Sequence, residues 1–546
     1  MQSDVVIIGG GLAGLVAAYE LVERGKSVTI LDQEGRQNLG GQAYWSLGGL
    51  CMIDTPEQRR MRVRDSHALA SNAWMGSAQF ARPEDHWPRE WASAYLDFAA
   101  GEMRPWLHEL GMRWFPVVGW AERGGSFANG HGNSVPRFHI TWGTGPGGLK
   151  PFEDRVCEAE KARKLTFGVR HRVTGFDITN GKVAGVSGDI LAPDDAVRGA
   201  ATNRDVIDTF AIKAEQSIIT SGGIGGNFDL VRRNWDASKS GPLPDKMVSG
   251  VPEHVDGLLL DILQNAGGEL INTDRMWHYT EGVHNWDPIW PHHGIRILPG
   301  PSSMWFDATG DRLPAPCLPG FDTMSTLHEI CRRGYDHTWF VLTQKIIEKE
   351  FALSGSEQNP DLTGGEWRGV LKERLGKGAT AAVEAFKEKG EDFVVANDFE
   401  TLINGMNQWG GNLIDPAKMR DQITARDAQI DNPFTKDAQV SAIRTARNYL
   451  GDKLIRTAKP HKILDPANGP LIAAKLHVVT RKTLGGIHTD LDARVFAPGG
   501  KTIDGLYAAG EAAGFGGGGY HGNNALEGTF LGGCIHSGRR AGRAAG

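Results

Sequence analysis

The sequence predicts an α/β fold, and three features of its first 32 residues predict it. Residues 5–8 form an apolar run that leads directly into Gly9-Gly10-Gly11-Leu12-Ala13-Gly14, a G-x-G-x-x-G motif. Residues 12–24 have the apolar spacing of a helix and stop before Gly25. Residues 28–31 predict a second strand that ends at Asp32. A strand, a glycine-rich turn, a helix and a second strand in this order are typical of a Rossmann-like domain.

Each glycine of the motif has its own task. Gly9 makes the tight turn, Gly11 lets the backbone approach a pyrophosphate, and Gly14 lets the helix pack closely on its strand. The phosphates then lie at the helix N-terminus. Asp32 lies 23 positions after Gly9, the spacing of a carboxylate that accepts hydrogen bonds from an adenosine ribose. We therefore predict a dinucleotide-binding site that includes Gly9, Gly11, Leu12, Ala13, Gly14, Asp32 and Gln33.

Length, charge and cysteine content narrow the class of protein. The 546 residues are enough for two or more domains. The formal net charge is -6 with both signs mixed along the chain, so we expect no nucleic-acid partner. Five widely spaced cysteines without a C-x-x-C motif predict neither a disulfide framework nor a metal site, and they fit a reducing cytoplasm. The chain starts directly with a strand and has no apolar stretch near 18 residues, so we expect a cytoplasmic protein without a membrane span.

Glycine-rich segments recur far beyond the first motif. They are residues 40–49 (GGQAYWSLGG), residues 217–223 (SIITSGG), residues 503–511 (IDGLYAAGE) and residues 523–526 (NNAL). Together these segments resemble the flavin-contacting motifs of the fumarate reductase and succinate dehydrogenase flavoprotein superfamily. Within it, the chain is most similar to the branch of 3-ketosteroid dehydrogenases and their FAD-binding dehydrogenase relatives.

The resemblance implies a domain organisation. It implies a Rossmann-like FAD-binding domain of the glutathione-reductase type, made of residues 1–278 and 476–546, with an inserted α+β cap domain of residues 279–475 that covers the substrate. Within the cap, residues 277–320 are dense in Trp, His and Pro and predict irregular loops. The helices predicted after these loops are residues 325–351, 365–389 and 438–454.

The resemblance also implies FAD as the cofactor. Asp32 would bind the adenosine ribose, and Glu511 would bind the ribityl chain or its ribose, although a solvated loop acid is the alternative for Glu511. Residues 523–526, at the start of a helix, would face the pyrimidine end of the isoalloxazine. Some superfamily members attach FAD covalently through a histidine just after the position of Gly41, where this chain has Gln42, so we predict noncovalent FAD. The cofactor-binding residues predicted in these later motifs are Gly40, Gly41, Gln42, Gly48, Gly49, Ser221, Gly222, Gly223, Gly510, Glu511, Asn523, Asn524, Ala525 and Leu526.

Three residues in the C-terminal part of the chain are candidates for substrate chemistry. Tyr520 stands where fumarate reductases carry a dicarboxylate-binding arginine and ketosteroid dehydrogenases carry a tyrosine. A phenol can donate to a carbonyl but cannot neutralise a carboxylate. Asn524 matches a position whose backbone N–H helps to hold the ketone, and Lys482 replaces a substrate-binding histidine. These departures disfavour fumarate and succinate as substrates; the alternatives are a packed aromatic for Tyr520 and a surface lysine for Lys482.

The proton-transfer residue of the superfamily has no counterpart here. Counting from residues 310–313 (GDRL) places it at Gly320, which has no side chain to move a proton. The candidate replacements are Asp322, Tyr279, His292 and His293. Each histidine can equally be a structural or exposed residue.

The tryptophans bear on the size of the ligand. Large apolar walls suit a polycyclic substrate, and filling of the core or a domain interface is the alternative. The tryptophans in question are Trp87, Trp91, Trp106, Trp114, Trp120, Trp142, Trp277, Trp286, Trp290 and Trp305.

These features predict an FAD-dependent oxidoreductase that acts on a CH–CH bond beside a carbonyl in a bulky apolar, steroid-like small molecule. A hydride would pass to flavin N5 while a base takes the neighbouring proton. One alternative is an ene-reductase of the fumarate reductase type. With no haem-attachment motif or iron–sulfur cysteines, its electrons would come from an external donor, just as a dehydrogenase would need an external acceptor. The other alternative, which Gly320 leaves open, is a noncatalytic FAD protein that binds a ligand.

Overall fold

The structure, a computed structural model, describes residues 3–124, 132–376 and 378–546. In chain order, its strands are β1 Val5–Ile8, β2 Val28–Asp32, β3 Gly49–Cys51, β4 Phe138–Ile140, β5 Leu165–Val169, β6 His171–Thr179, β7 Lys182–Leu191, β8 Val206–Lys213, β9 Gln216–Ile219, β10 Met247–Ser249, β11 Leu270–Ile271, β12 Met276–His284, β13 Gly294–Leu298, β14 Met304–Asp307, β15 Thr338–Thr343, β16 Ala352–Leu353, β17 Phe393–Ala396, β18 Leu471–Thr483, β19 Gly486–Ile487, β20 Arg494–Ala497 and β21 Lys501–Ala508.

The helices alternate with these strands in the first half of the chain and cluster after β14. They are α1 Leu12–Glu23, α2 Pro56–Arg60, α3 His67–Ala78, α4 His86–Ala100, α5 Met103–Glu109, α6 Thr144–Lys161, α7 Phe228–Asn234, α8 Ala237–Ser240, α9 Leu258–Asn265, α10 Thr323–Arg333, α11 Gln344–Glu350, α12 Pro360–Thr363, α13 Trp367–Leu375, α14 Ala381–Lys389, α15 Phe399–Gly410, α16 Pro416–Ala428, α17 Ala438–Ala446, α18 Leu450–Ile455 and α19 Thr529–Ala545.

The first sheet has the strand order β5-β2-β1-β9-β21-β7-β6, with β20 beside β21 and β8 beside β7. β1 lies between β2 and β9 and is parallel to both, as expected for strands buried on both faces. Helix α19 packs closely on α1, because a Cβ at Gly538 would lie 2.4 Å from the Ala13 carbonyl oxygen. The predicted Rossmann-like α/β domain is confirmed.

The second sheet has the strand order β14-β15-β18-β12-β13-β16, with β10 and β17 also paired to β18. The long strand β18 pairs antiparallel with β12 from Met276 opposite Thr483 to Gly282 opposite His477. Helices surround this sheet, which gives the α+β character predicted for the cap. Within the described residues, no helix has the length and apolar composition needed to cross a bilayer.

Two buried apolar clusters correspond to the two sheets. The first contains Tyr279 on β12 and Val478 on β18, whereas the second contains Val283 and Leu476 on the same two strands. The predicted domain boundaries, 278/279 and 475/476, therefore both fall inside one strand pair. The division of the chain into these domains stays a prediction.

The helices predicted for the cap are wrong in extent. Residues 325–351 form α10, the strand β15 and α11, because the segment Thr338–Thr343 is buried along its whole length and pairs with β18. Residues 365–389 divide into α13 and α14, and residues 438–454 contain α17 and the start of α18. A short apolar run such as residues 339–342 (WFVL) fits a buried strand or a helix segment equally well by periodicity.

Candidate active site

A cavity lies between the carboxyl ends of β1, β2 and β9 in the first sheet and the strands β12, β13 and β18 in the second. Gly9 and Asp32 line it from the first sheet, and Tyr279, Arg296 and Lys482 line it from the second. The carboxyl ends of parallel strands are where α/β folds bind their ligands. The two sheets thus form opposite walls of one site.

The glycine-rich turn has the geometry that its sequence predicts. Gly9 has φ +111°, and a Cβ there would lie 2.5 Å from the Thr220 carbonyl oxygen. A Cβ at Gly14 would lie 2.2 Å from the Gly9 oxygen, so Gly14 serves close packing behind the turn. Gly11 is the N-cap of α1 and lines the cavity, with no atom closer than 4.0 Å to the Cβ position. A phosphate can therefore approach the backbone at the start of α1.

Asp32 is held at the cavity wall by two backbone groups. Its Oδ2 accepts a hydrogen bond from the Gly10 N–H at 2.8 Å, and its Oδ1 accepts one from the Glu34 N–H at 2.9 Å. Burial raises the pKa of the Asp32 carboxyl, although these two hydrogen bonds act to lower it. The neighbouring Gln33 donates through Nε2 to Asp256 Oδ2 at 3.0 Å. The side chain that would bind a ribose is therefore oriented before any ligand arrives.

Three distant motifs meet around Gln42. Its Nε2 donates to Glu511 Oε2 at 2.6 Å, and its Oε1 accepts from Lys482 Nζ at 2.7 Å. The other Glu511 oxygen accepts from the Thr483 N–H at 2.9 Å. Burial lowers the pKa of the Lys482 ammonium, and Glu511 at 3.7 Å opposes that effect. The Lys482 side chain is 12% exposed and lines the cavity, which excludes the alternative of a surface lysine.

Most of the predicted cofactor residues line this one cavity. They are Gly9, Gly11, Leu12, Ala13, Asp32, Gln33, Gly40, Gly41, Gln42, Gly49, Ser221, Gly222, Gly510 and Glu511.

The other seven predicted cofactor residues, all of them described by the structure, are not among the residues that line this cavity. A Cβ at Gly48 would lie 2.6 Å from the Thr144 carbonyl carbon, and one at Gly223 would lie 2.2 Å from Glu511 Oε1. Asn523 donates through Nδ2 to the Gln79 carbonyl oxygen at 3.0 Å. Residues 523–526 precede the wall segment, which consists of Glu527, Gly528, Phe530 and Leu531 at the start of α19. The flavin contacts predicted for Asn523, Asn524, Ala525 and Leu526 stay a prediction.

Tyr520 is not among the described residues that line the cavity. Its ring is fully buried against Trp74 and Tyr95, and its hydroxyl donates to the Thr529 carbonyl oxygen. Burial raises the pKa of this phenol well above its ordinary value. The geometry is that of a packed aromatic, and the catalytic role of Tyr520 stays a prediction that needs a direct test.

The four candidate proton-transfer residues lie in different places. Tyr279 lines the cavity, whereas Asp322 is the buried N-cap of α10 and its Oδ1 accepts from the Ser325 N–H at 3.0 Å. His292 is exposed. His293 stacks on Trp290 with ring centroids 3.5 Å apart, and its Nδ1 accepts from the Ile289 N–H. Among these four described residues, only Tyr279 is brought to the cavity.

Sequence reasoning missed a buried charged cluster around Tyr279. The Arg296 guanidinium carbon lies 3.8 Å from the centroid of the Tyr279 ring. Arg296 Nη1 donates to Glu527 Oε1 at 2.6 Å, and Nε donates to Glu281 Oε2 at 3.3 Å. Tyr279, Arg296 and Glu527 line the cavity, and Glu281 lies behind them. Their sequence neighbours form no motif, so only the pairing of β12 with β13 and the turn before α19 bring them together.

The opposite end of the cavity also contains residues that the motifs did not indicate. They follow β5 and precede α9, and they are His171, Arg172, Val173, His254, Val255 and Asp256. None of the ten tryptophans considered above, all within the described residues, lines the cavity. Trp91, Trp277 and Trp305 are buried in the two apolar clusters, so filling of the core is the better interpretation for them.

The residues present fit a flavin dinucleotide. The turn at Gly9 and Gly11 leaves room for a phosphate, and Asp32 lies beyond it for a ribose. Gln42, Glu511 and Lys482 follow on the same cavity, with an amide, a carboxylate and an ammonium available to polar ligand atoms. FAD has its pyrophosphate between the adenosine ribose and the flavin half, and the cavity offers a backbone turn for the pyrophosphate, a carboxylate for the ribose and polar side chains for the flavin half.

Comparisons with known proteins show the family of this chain. A family model for the FAD binding domain matches residues 4–531, so the chain belongs to this family of FAD-binding proteins. A KsdD-like steroid dehydrogenase of Mycolicibacterium smegmatis is 59% identical over 97% of this chain and 96% of that protein. A KsdD-like steroid dehydrogenase of Mycobacterium tuberculosis H37Rv is 56% identical over 100% of this chain and 96% of that protein.

The fold is shared with a solved structure. It is that of 3-ketosteroid Δ1-dehydrogenase from Sterolibacterium denitrificans in complex with 1,4-androstadiene-3,17-dione. The TM-score is 0.68 at 14% identity, covering 100% of this chain and 99% of the other. The predicted superfamily, fold class and FAD cofactor are confirmed, as is the prediction of an FAD-dependent dehydrogenase.

Proposed function

We propose that this chain oxidises a CH–CH bond beside the carbonyl of a steroid-like ketone. One observation carries the proposal: the cavity that begins at the glycine-rich turn continues to Tyr279, Arg296 and Glu527, so the residues proposed for cofactor binding and for proton transfer line one cavity. The names of the mycobacterial relatives support the same substrate class. FAD, when bound, supplies the hydride acceptor of this chemistry.

Tyr279 is the proposed donor to the substrate carbonyl. Burial raises the pKa of its phenol, so the hydroxyl keeps its proton at neutral pH. A neutral phenol donates to a carbonyl oxygen, and the neighbouring Arg296 guanidinium stabilises negative charge that develops there. Polarising the carbonyl makes the proton on the adjacent carbon more acidic.

Glu527 is the proposed acceptor of that proton. It lines the cavity, and its Oε1 accepts from Arg296 Nη1 at 2.6 Å, which orients the carboxylate. Behind it, Arg296 Nη2 donates to Thr323 Oγ1, and the Thr323 N–H donates to Glu122. Burial raises the pKa of Glu122 well above its ordinary value, which favours the protonated form of this carboxyl. The cluster therefore contains a carboxylate at the cavity that can take a proton and, behind it, a second carboxyl group.

The body of the substrate would lie against apolar side chains. Leu298 lines the cavity from β13, and the same wall continues with aromatic rings. The apolar lining residues near the charged cluster are Leu47, Phe138, Leu298, Phe515 and Phe530. Apolar walls with a few polar groups are typical of sites for bulky hydrophobic ligands.

The test measures anaerobic reduction of the bound flavin through the loss of its visible absorbance. We expect a 3-ketosteroid to bleach the flavin and succinate to leave it oxidised. Tyr279→Phe removes one hydroxyl donor and should slow bleaching by about 100-fold or more. Tyr520→Phe, the matched control, removes a phenol that donates to Thr529 and should slow it less than about tenfold.

Three other results would contradict the proposal. Slow flavin bleaching in the Tyr520→Phe variant, together with a normal rate in the Tyr279→Phe variant, would assign the catalytic role to Tyr520. Reoxidation of the reduced protein by an enone, without bleaching by any ketone, would establish the reductive direction. Ligand-induced shifts of the flavin spectrum without any change of redox state would establish a noncatalytic binding protein.

A further inference from the structure

We propose that His284, Asp392 and His477 form a binding site for a divalent transition metal ion of the Zn²⁺ class, separate from the FAD cavity. His284 Nδ1 lies 3.0 Å from Asp392 Oδ2, and His477 Nε2 lies 3.0 Å from Asp392 Oδ1. The candidate ligand atoms all lie within 4.8 Å of one another. Two imidazoles and one carboxylate form a common ligand set for this class of ion.

Backbone pairing in the second sheet brings the three residues together. His284 ends β12, and His477 lies on β18 opposite Gly282. Asp392 immediately precedes β17, which pairs with β18 from Phe393 opposite Ala474. The residues are 108 and 85 positions apart, so spacing along the chain predicted no metal site. The sheet register alone creates the cluster.

The carboxylate is oriented by further contacts. The His284 N–H donates to Asp392 Oδ2 at 2.7 Å, and the Lys475 N–H donates to the Asp392 carbonyl oxygen at 2.7 Å. The two imidazole centroids are 4.6 Å apart at an interplanar angle of 69°. Because one backbone N–H holds the carboxylate and another holds the backbone of Asp392, the ligand set needs little rearrangement to bind an ion.

The burial of the cluster permits an ion to enter. The side chains of His477 and Asp392 are 5% and 4% exposed, whereas that of His284 is 38% exposed. Glu391 Oε1 lies 3.2 Å from His284 Nδ1 on the solvent side and can supply a fourth, oxygen ligand. An entering ion would replace the protons that the imidazoles share with the carboxylate.

The location suggests what the ion would do. Strand β12 carries Tyr279 in the cavity and His284 in the cluster, while β18 carries Lys482 in the cavity and His477 in the cluster. An ion bound to both strands would join the end of β12 to the middle of β18, away from the cavity residues. It would therefore stabilise the strand pair that links the two apolar clusters.

The experiment titrates Zn²⁺ into the FAD-loaded protein, previously treated with a chelator and dialysed, in an isothermal calorimeter. We expect one Zn²⁺ per chain, and a Co²⁺ titration should give the visible spectrum of a four-coordinate ion. His284→Gln and Asp392→Asn should each weaken Zn²⁺ binding by at least about tenfold. His292→Gln, which changes an exposed histidine outside the cluster, should bind Zn²⁺ like the wild type.

Two outcomes would overturn the proposal: no stoichiometric Zn²⁺ binding by the wild type, or binding that both substitutions leave unchanged. The FAD content of each variant serves as the check of folding. Because His284 is partly exposed, the His284→Gln variant tests the site even if Asp392→Asn does not fold.

Discussion

Gln42 shows at the scale of one residue how this chain differs from flavoproteins that attach FAD covalently. Its amide bridges Glu511 and Lys482 at 2.6 Å and 2.7 Å, so both polar atoms are engaged within the cavity wall. An amide lacks the nucleophilic ring nitrogen that a histidine would offer at this position. The contacts hold the side chain against the cofactor space without providing an atom for a covalent bond.

We therefore predict that denaturation releases the flavin. Acid precipitation of the yellow protein should leave the FAD in the supernatant, measured by its visible absorbance after centrifugation. Free FAD mixed with an unrelated protein and treated in the same way is the control. Flavin that stays with the washed pellet would show a covalent bond and would contradict the role assigned to Gln42.

At the scale of elements, a bidentate ion pair joins two short helices next to the first sheet. Glu57 on α2 accepts from Arg104 on α5, with Arg104 Nε at 2.9 Å and Nη2 at 2.8 Å from the two carboxylate oxygens. The Glu57 side chain is 6% exposed. Burial acts to raise the pKa of Glu57, but the hydrogen bonds and positive charge of Arg104, together with a backbone hydrogen bond, outweigh it and lower that pKa to about 2.

Glu57→Gln should lower the stability of the folded protein by about 1–3 kcal/mol at pH 7, because Arg104 loses its charged partner. Since the folded-state pKa lies below the ordinary value of 4.5, the stabilisation by this ion pair is fully present above pH 4.5 and is lost as the pH falls toward 2. The difference between variant and wild type should therefore shrink below pH 4.5. Urea denaturation of the variant and the wild type at neutral and acidic pH measures this difference in stability.

The exposed Glu109 on the same helix α5 gives a matched control. Glu109→Gln should change the urea midpoint little at either pH, since surface substitutions usually have small effects. An equal loss of stability in both variants, or a loss in Glu57→Gln that does not depend on pH, would show that the ion pair does not stabilise the contact between α2 and α5.

At the scale of the whole molecule, the FAD cavity is shared by two sheets with separate apolar clusters. Gly9 and Asp32 come from the first sheet, and Tyr279 and Lys482 come from the strand pair that enters the second. A ligand that contacts both walls stabilises the folded state without new contacts between the protein segments themselves. FAD bound against both walls would thus be part of the connection between the two halves of the molecule.

Removing FAD should lower the melting temperature by roughly 5 °C or more, because saturating ligand adds a few kcal/mol to the folded state. Thermal unfolding of the apoprotein with increasing FAD measures the effect. FMN, which lacks the adenosine half that the glycine turn and Asp32 would bind, should restore less of the loss. A melting temperature that does not respond to FAD would contradict a shared cofactor site.

Features contained in short segments could be predicted from the residue pattern. The turn at Gly9–Gly14, the helix α1 and the acid Asp32 lie within one stretch of 32 residues, so local spacing and glycine conformation were sufficient. The later glycine motifs identified Gln42, Lys482 and Glu511 because each keeps a recognisable neighbourhood in the chain. The local geometry of these segments follows from their own residues and does not depend on how the rest of the chain folds.

Features that depend on pairing between distant strands came only from the folded structure. Tyr279, Arg296 and Glu527 form one charged wall, and His284, Asp392 and His477 form one cluster, although no motif connects their positions. The sequence pattern predicts a helix where the structure has the strand β15, because a short apolar run fits both a helix and a buried strand. Strand register and burial are properties of contacts between segments far apart in sequence, and local residue preferences do not contain them.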